Sequence, residues 1–252
     1  MASTIVETTC KAEDLATQPA DLTNKTVLIT GGTTGIGCAT ALLVASKGAK
    51  LLIFSKSESI LQDALQEIGK VGSVIGLTAD TTKTEDIKKI FETVDREFGG
   101  LDILVANTAA GAETIAEMSL EDQENILKTN LLWYLGIAQE AVDRMKNRGG
   151  HIVVVGSMSP TPRVEGRSVY VAARSGIEGF ASALRREVNE AGIKVTLIEP
   201  GHVCLNIHGL PVEKDGMQLK AEDVAEVILF ALTRPMRVDV TEMRVLPHLQ
   251  HG

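Results

Sequence analysis

Six short, wholly apolar runs recur along this chain, separated by stretches of helical periodicity. That alternation constrains the fold more than any other feature. The runs are Val27–Thr30, Leu51–Phe54, Val74–Thr78, Ile103–Ala106, Ile152–Val155 and Val195–Ile198. None alternates apolar with polar residues, so each is expected to be buried on both faces, as strands of a parallel sheet are. The helical patterns are Gly37–Lys47, Ser59–Ile68, Thr84–Phe98, Ser119–Asn147, Ser168–Ala191 and, after the last run, Ala221–Leu232. Parallel neighbours need a crossover connection, and a helix of such length supplies it. The expected fold class is therefore α/β, a doubly wound parallel sheet in a single domain. A last strand is expected near Glu242–Leu246.

Composition sets the limits of that domain. The 252 residues, 44% of them hydrophobic, suffice for one large core spanning residues 25–252. Residues 1–24 are polar and rich in Thr and Ala, and are expected to form a flexible N-terminal extension. Residues 202–219 carry Gly, Pro and mixed charge just after a strand end, which makes them a candidate lid. A net charge of −8 with 3% aromatic residues argues against a nucleic-acid surface. Cys10, Cys38 and Cys204 are odd in number and lack metal-ligand spacing, so reduced thiols, no metal site and a cytoplasmic location are expected. No apolar run reaches the roughly 18 residues a membrane span needs. The first 24 residues show no basic segment followed by an apolar one, so no secretory signal is expected.

Two motifs carry chemistry. Thr30-Gly31-Gly32-Thr33-Thr34-Gly35-Ile36-Gly37 lies between the first strand and the first helix. Its glycines permit a tight turn and let backbone N–H groups approach a pyrophosphate, and the helix N-terminus adds a positive dipole end. The spacing is G-x-x-x-G-x-G rather than G-x-G-x-x-G. Much later, Tyr170-Val171-Ala172-Ala173-Arg174 begins thirteen residues after Ser157. A tyrosine and a cation one helical turn apart share a face. The positive charge favours the phenolate and lowers the tyrosine pKa, which fits the phenol for proton exchange near neutral pH.

On these motifs the chain resembles the short-chain dehydrogenase/reductase superfamily, whose TGxxxGIG signature the glycine loop matches, over about residues 24–246. The resemblance implies a Rossmann-type sheet, a nicotinamide cofactor, a small carbonyl or alcohol substrate, and assembly as a homotetramer or homodimer. By family position Gly31, Thr33, Gly35, Ile36 and Gly37 contact the cofactor. The second strand ends Phe54-Ser55-Lys56, without the carboxylate that bonds the ribose of NAD and with a cation instead. This favours NADP(H) over NAD(H), with Ser55 and Lys56 on the extra phosphate. The family pattern further places Asp80 on the adenine, and Asn107, Pro200, Gly201 and Val203 along the cofactor. It makes Asn130 the holder of a relay water, Ser157 the group that bonds the substrate oxygen, and Tyr170 the acid/base. Arg174 stands where the family has a lysine that binds the ribose. The implied reaction is hydride transfer between nicotinamide and a carbonyl carbon.

Three departures surround the nicotinamide end. Arg174 keeps the positive charge, but a guanidinium does not pass a proton as an ammonium does. The family's N-N-A-G is Ala106-Asn107-Thr108-Ala109 here. In the family pattern a threonine bonds the carboxamide; that position is Leu205 here, with Asn206 or backbone as the candidate replacement. A second possibility therefore stands beside the oxidoreductase: a repurposed member of the fold acting as an isomerase, cyclase or lyase, or a catalytically silent dinucleotide-binding protein. Ser159 and Arg163 are further residues near the pocket by family position. Trp133 and Tyr134 are expected in the core or a subunit interface. The chain end from Met236 to Pro247 resembles reductases that include broad-specificity 3-hydroxy acid and aldehyde dehydrogenases.

Overall fold

Val27, Leu28 and Ile29 are wholly buried, and alternate residues of their strand serve opposite faces of one sheet. The structure, a computed structural model, describes residues 21–111, 113–158, 165–205 and 218–248. Its strands are β1 (Thr26–Ile29), β2 (Lys50–Ser55), β3 (Ser73–Thr78), β4 (Ile103–Ala106), β5 (Gly150–Val155), β6 (Ile193–Pro200) and β7 (Glu242–Val245). The helices are α1 (Gly35–Ala45), α2 (Glu58–Gly69), α3 (Thr84–Phe98), α4 (Leu120–Leu127), α5 (Trp133–Met145), α6 (Ser168–Val188) and α7 (Ala221–Leu232). All seven strands are parallel, in the order β3-β2-β1-β4-β5-β6-β7. Leu28, Leu104, Ile152 and Val154 face the α3–α5–α6 layer, whereas Val27, Ile29, Val105 and Val153 face α1, α2 and α7. This is the doubly wound Rossmann-type sheet expected from the apolar runs. The strand order reverses between β1 and β4, and open sheets bind ligands in the crevice beyond the strand ends at such a point. No helix among the described residues is long and apolar enough to cross a membrane.

Three expectations need correction. β3 is not buried on both faces: it is an edge strand whose residues are half-buried or exposed. Strand order depends on contacts distant in sequence, which an apolar run does not encode. Ser119–Asn147 is not one helix. Ser119 caps α4 through a capping box with Asp122, and a π-helical turn, Lys128–Leu132, separates α4 from α5. Asn130 Nδ2 donates to Ile126 O at 3.1 Å, the carbonyl that the Asn130 N–H takes in an α-helix, and the ladder steps over by one residue. Residues 21–24 are not part of a flexible tail. Leu22 is buried, Leu22 N donates to Lys47 O at 2.9 Å, and Asn24 N donates to Gly48 O at 3.1 Å. Residues 1–20 lie outside the described residues.

The far side of the sheet holds a buried polar contact with a measurable consequence. On β5, His151 Nε2 lies 2.8 Å from Thr196 Oγ1, whose one proton goes to Val240 O at 2.6 Å. Thr196 therefore accepts from an imidazole protonated at Nε2. Burial, assisted by the Lys194 charge, lowers the His151 pKa from 6.5 to about 3. Between those values the unfolded chain binds a proton that the folded chain does not, so stability falls as the pH drops below 6.5. From pH 7 to pH 5 this group removes about 2 kcal/mol. Urea unfolding at the two pH values is expected to show that loss in the wild type and a smaller one in His151→Gln.

Candidate active site

The glycine loop leaves β1 at the switch point. Thr30 Oγ1 accepts hydrogen bonds from Asn107 N at 2.8 Å and Thr108 N at 3.0 Å, tying this loop to the one that follows β4. Asn107 Nδ2 points back to Thr30 O at 3.3 Å and Gly31 O at 3.5 Å. Gly31 and Gly35 have φ of 62° and 51°, in the left-handed region. Gly37 is required for a different reason: a Cβ there would lie 2.0 Å from Gly31 O and 2.7 Å from Asn107 Nδ2. Thr34, at the α1 N-cap, makes no side-chain capping bond, and no acidic residue occupies the first turn. The helix N-terminus thus has its dipole end uncompensated, and Thr33 sits on the turn leading to it.

From the loop the predicted residues run along the carboxyl ends of β2 and β3. Ser55 Oγ accepts from Ser57 N at 3.2 Å, and Lys56 is exposed. Asp80 Oδ1 accepts from Thr82 N and Thr82 Oγ1, both at 2.9 Å. The Thr82 backbone bond is the leading cause that holds the Asp80 carboxyl below its usual range, and the Lys56 charge adds to it. Lys56 and Asp80 therefore share one rim, while one oxygen of Asp80 is taken up by its own turn.

On the other side of the switch point lies a cavity of about 360 Å³. Ile36, Asn107, Ser157, Tyr170 and Arg174 line it, together with the Pro200–Val203 segment. Ser157 is carried there at the end of β5, where Gly156 N donates to Ile198 O at 2.7 Å and Met158 N to Pro200 O at 3.0 Å. Tyr170 and Arg174 come from the first two turns of α6. Burial works to raise the Tyr170 phenol. The Arg174 charge, a hydrogen bond with Ser157, one with Arg174, and the Arg167 charge together outweigh it and hold the phenol below its ordinary pKa of 10.

Arg174 is only 2% exposed and has no carboxylate partner among the described residues. Its Nη1 donates to Val155 O and to Tyr134 Oη, each at 3.2 Å, and its Nε is buried without a partner. The guanidinium carbon lies 5.2 Å from the Tyr170 ring centroid and 5.5 Å from that of Tyr134. Arginine stays protonated in proteins, so the cation remains and its surroundings must compensate it. Burial works to lower its pKa, yet the two tyrosines raise it overall.

Asn130 does not line the cavity. All of its side-chain bonds go to backbone: Nδ2 to Ala110 O at 2.9 Å and to Ile126 O, and Oδ1 from Ala110 N at 3.1 Å. It props the loop after β4. At the start of the candidate lid, Val203 pairs with Leu219, Cys204 N donates to Leu219 O at 2.8 Å, and Leu205 N to Val203 O at 2.8 Å. Ser159, Arg163, Asn206 and lid positions 206–217 lie outside the described residues.

Sequence reasoning missed three contributors. Thr30 opens the glycine motif, but nothing in the sequence marks its hydroxyl as the acceptor that holds the loop after β4. Arg167 lines the cavity three residues before Tyr170, a placement that depends on how α6 begins. Tyr134 is buried in the core as expected, but its hydroxyl reaches the site. The available signal was its position four residues after Asn130.

Residues 25–208 match the family model for short chain dehydrogenases. The chain belongs to the short-chain dehydrogenase/reductase family. It is 31% identical over 247 residues to an NADP-dependent 3-hydroxy acid dehydrogenase of Schizosaccharomyces pombe, covering 92% of this chain and 95% of that protein. It is 30% identical over 229 residues to an uncharacterized oxidoreductase of Staphylococcus aureus, covering 90% and 98%. Among solved structures it resembles an alcohol dehydrogenase of the archaeon Thermococcus sibiricus complexed with 5-hydroxy-NADP, with 25% identity, a TM-score of 0.81, and coverage of 90% of this chain and 98% of that one. A citronellol catabolism dehydrogenase of Pseudomonas aeruginosa gives 27% identity, a TM-score of 0.80, and coverage of 92% and 98%.

Proposed function

We propose that this protein is an NADP(H)-dependent oxidoreductase that interconverts a carbonyl and an alcohol, with Tyr170 as acid/base. The observation that carries this is the Tyr170 phenol, held below its usual pKa beside Ser157 and the buried Arg174 cation in a cavity at the switch point. The residues present fit the cofactor. The glycine loop has backbone that a Cβ at Gly37 would fill, the α1 N-terminus is uncapped, and the unpartnered Arg174 Nε can donate to a ribose hydroxyl. When bound, the nicotinamide supplies or accepts the hydride. Ser157 donates a hydrogen bond to the substrate oxygen, Tyr170 gives that oxygen a proton or takes one from it, and Arg174 keeps a positive charge beside the phenol throughout.

The cavity favours acids among the carbonyl and alcohol substrates. Among the described residues its lining includes Arg167 and Arg174 and no carboxylate, in a chain of net charge −8. The 3-hydroxy acid relative points the same way. The replacement of lysine by Arg174 supports the alternative of a non-redox enzyme or a silent binding protein. Purified protein with NADPH and a panel of aldehydes, ketones and 3-oxo acids, followed by cofactor absorbance, is expected to turn over, best with the acids. Turnover no greater than a Tyr170→Phe control refutes the proposal, and dinucleotide binding without turnover favours the alternative. Exposed Leu120, Leu132 and Phe230 support a proposed homodimer or homotetramer, which sedimentation tests.

Lys56 supports the choice of NADP(H). A charge-assisted bond to the 2′-phosphate contributes about 1.5 kcal/mol or more. Lys56→Ala is thus expected to raise the KM for NADPH at least about tenfold and leave that for NADH unchanged, as steady-state kinetics with both cofactors will show.

A further inference from the structure

We propose that Tyr134 is a positioning residue: its buried hydroxyl and ring hold the Arg174 guanidinium against the end of β5, facing Tyr170. The proposal deepens the acid/base role given above to Tyr170 and rests on it. A guanidinium is larger than an ammonium and has five donors in a rigid plane. Buried without a carboxylate among the described residues, that of Arg174 is fixed by neutral acceptors and ring faces. Tyr134 supplies one of each.

The geometry makes this a specific arrangement. The Tyr134 hydroxyl donates its proton to Thr108 O at 2.6 Å and lies 3.2 Å from Val155 O. With two carbonyl oxygens beside it, that hydroxyl stays protonated and offers its lone pair to Arg174 Nη1 at 3.2 Å. Val155 O, the second acceptor for Nη1, belongs to the strand end that carries Ser157. Tyr134 therefore links three parts of the site: the loop after β4, the end of β5, and α6. Its ring lies on one side of the guanidinium and the Tyr170 ring also contacts it. Burial raises the Tyr134 pKa despite the Arg174 charge, while Tyr170 moves the opposite way. Of the two phenols, Tyr170 is the one left to provide negative charge. The charged or titratable groups acting on Tyr170 are Arg174, Arg167 and Tyr134, and Ser157 hydrogen-bonds to it.

The chain contains two tyrosines in all, so each can be titrated by its phenolate absorbance without any assay of turnover. In Tyr134→Phe the only phenol left is Tyr170. Phenylalanine keeps the ring and its packing and removes the hydroxyl. We expect the Tyr170 midpoint to rise by on the order of one unit, because a released guanidinium reaches cavity water and acts on the phenol less. Starting from Arg174→Gln, adding Tyr134→Phe is expected to move the midpoint no further. A midpoint that stays or falls in Tyr134→Phe overturns the proposal, as does a full additional shift in the Arg174→Gln background. A second measurement leaves the site intact: with fluorotyrosine at both positions, the Tyr134 fluorine resonance should follow the Tyr170 titration. Independence of the two signals also overturns the proposal. All these outcomes can be read even if no carbonyl substrate is turned over, so failure here and failure of the oxidoreductase assignment are separate results.

Discussion

Tyr170→Phe is expected to lower kcat/KM for carbonyl reduction by about 10²- to 10⁴-fold, the range that a positioned acid/base contributes. Dinucleotide affinity is expected to change by no more than about fivefold, since a single neutral hydrogen bond accounts for about 1 kcal/mol. The asymmetry follows from what the substitution removes. The ring that contacts Arg174 remains, and so does the buried cation. The hydroxyl hydrogen-bonded to Ser157, whose proton the proposed reaction exchanges, is lost. The pH profile should change as well. Because the Arg174 charge and Ser157 outweigh burial and hold the phenol below 10, alcohol oxidation in the wild type should rise with pH through that lowered value, and reduction should fall. Both limbs should flatten in the variant. Initial rates in each direction across pH, with calorimetric NADPH binding, check these points. A variant that keeps most of the wild-type rate removes Tyr170 from the reaction.

Gly37→Ala should produce a large structural effect, since its added carbon makes the shortest contact among the glycines whose surroundings are described. The added carbon would sit 2.0 Å from Gly31 O and 2.7 Å from Asn107 Nδ2, and the first of these is backbone that no side-chain rotation can move. Overpacking of that kind costs about 3 kcal/mol or more. For a domain of this size that corresponds to a fall in Tm of about 6–12 °C. Shifting Gly31 also disturbs the Asn107 bonds to Thr30 O and Gly31 O, so the loop that fits a pyrophosphate loses its shape. Dinucleotide binding should weaken by more than tenfold even below the Tm. Gly179→Ala, on the exposed face of α6 with nothing within 4 Å of the new carbon, is the matched control. It is expected to stabilise by about 0.5–1 kcal/mol, because glycine is the poorer helix residue. Thermal melts of both variants and calorimetry with NADPH distinguish the clash from a general intolerance of alanine.

The strand runs were legible because burial on both faces leaves continuous apolar stretches, and the α3 and α7 boundaries agree with the sequence pattern to the residue. The edge position of β3 was not legible, since a Val-Ile-Gly-Leu run is compatible with a central or an outer place in the sheet. Nor was the break inside Ser119–Asn147. It contains no proline, and its cause is one asparagine side chain competing with backbone. At the site, Ser157, Tyr170 and Arg174, singled out by their family spacing, line one cavity because two elements adjacent in the fold carry them. Asn130, singled out by family position, lies outside that lining, and its amide serves backbone. Tyr134 and Arg167 escaped because their roles depend on a carbonyl, a cation and a helix start brought together from distant parts of the chain. Local sequence encodes which residues can do chemistry far better than which neighbours hold them still.

The π turn at Lys128–Leu132 gives this segment slack in its length. Each residue of a helix advances the chain by about 100° around its axis. Deleting one residue from the turn would return it to the α ladder, and the tighter winding would offset nearly all of the rotation lost with that residue. Tyr134 would keep its side of the helix towards Arg174, whereas a deletion in the regular helix that follows has no such slack and would turn every later residue by the full step.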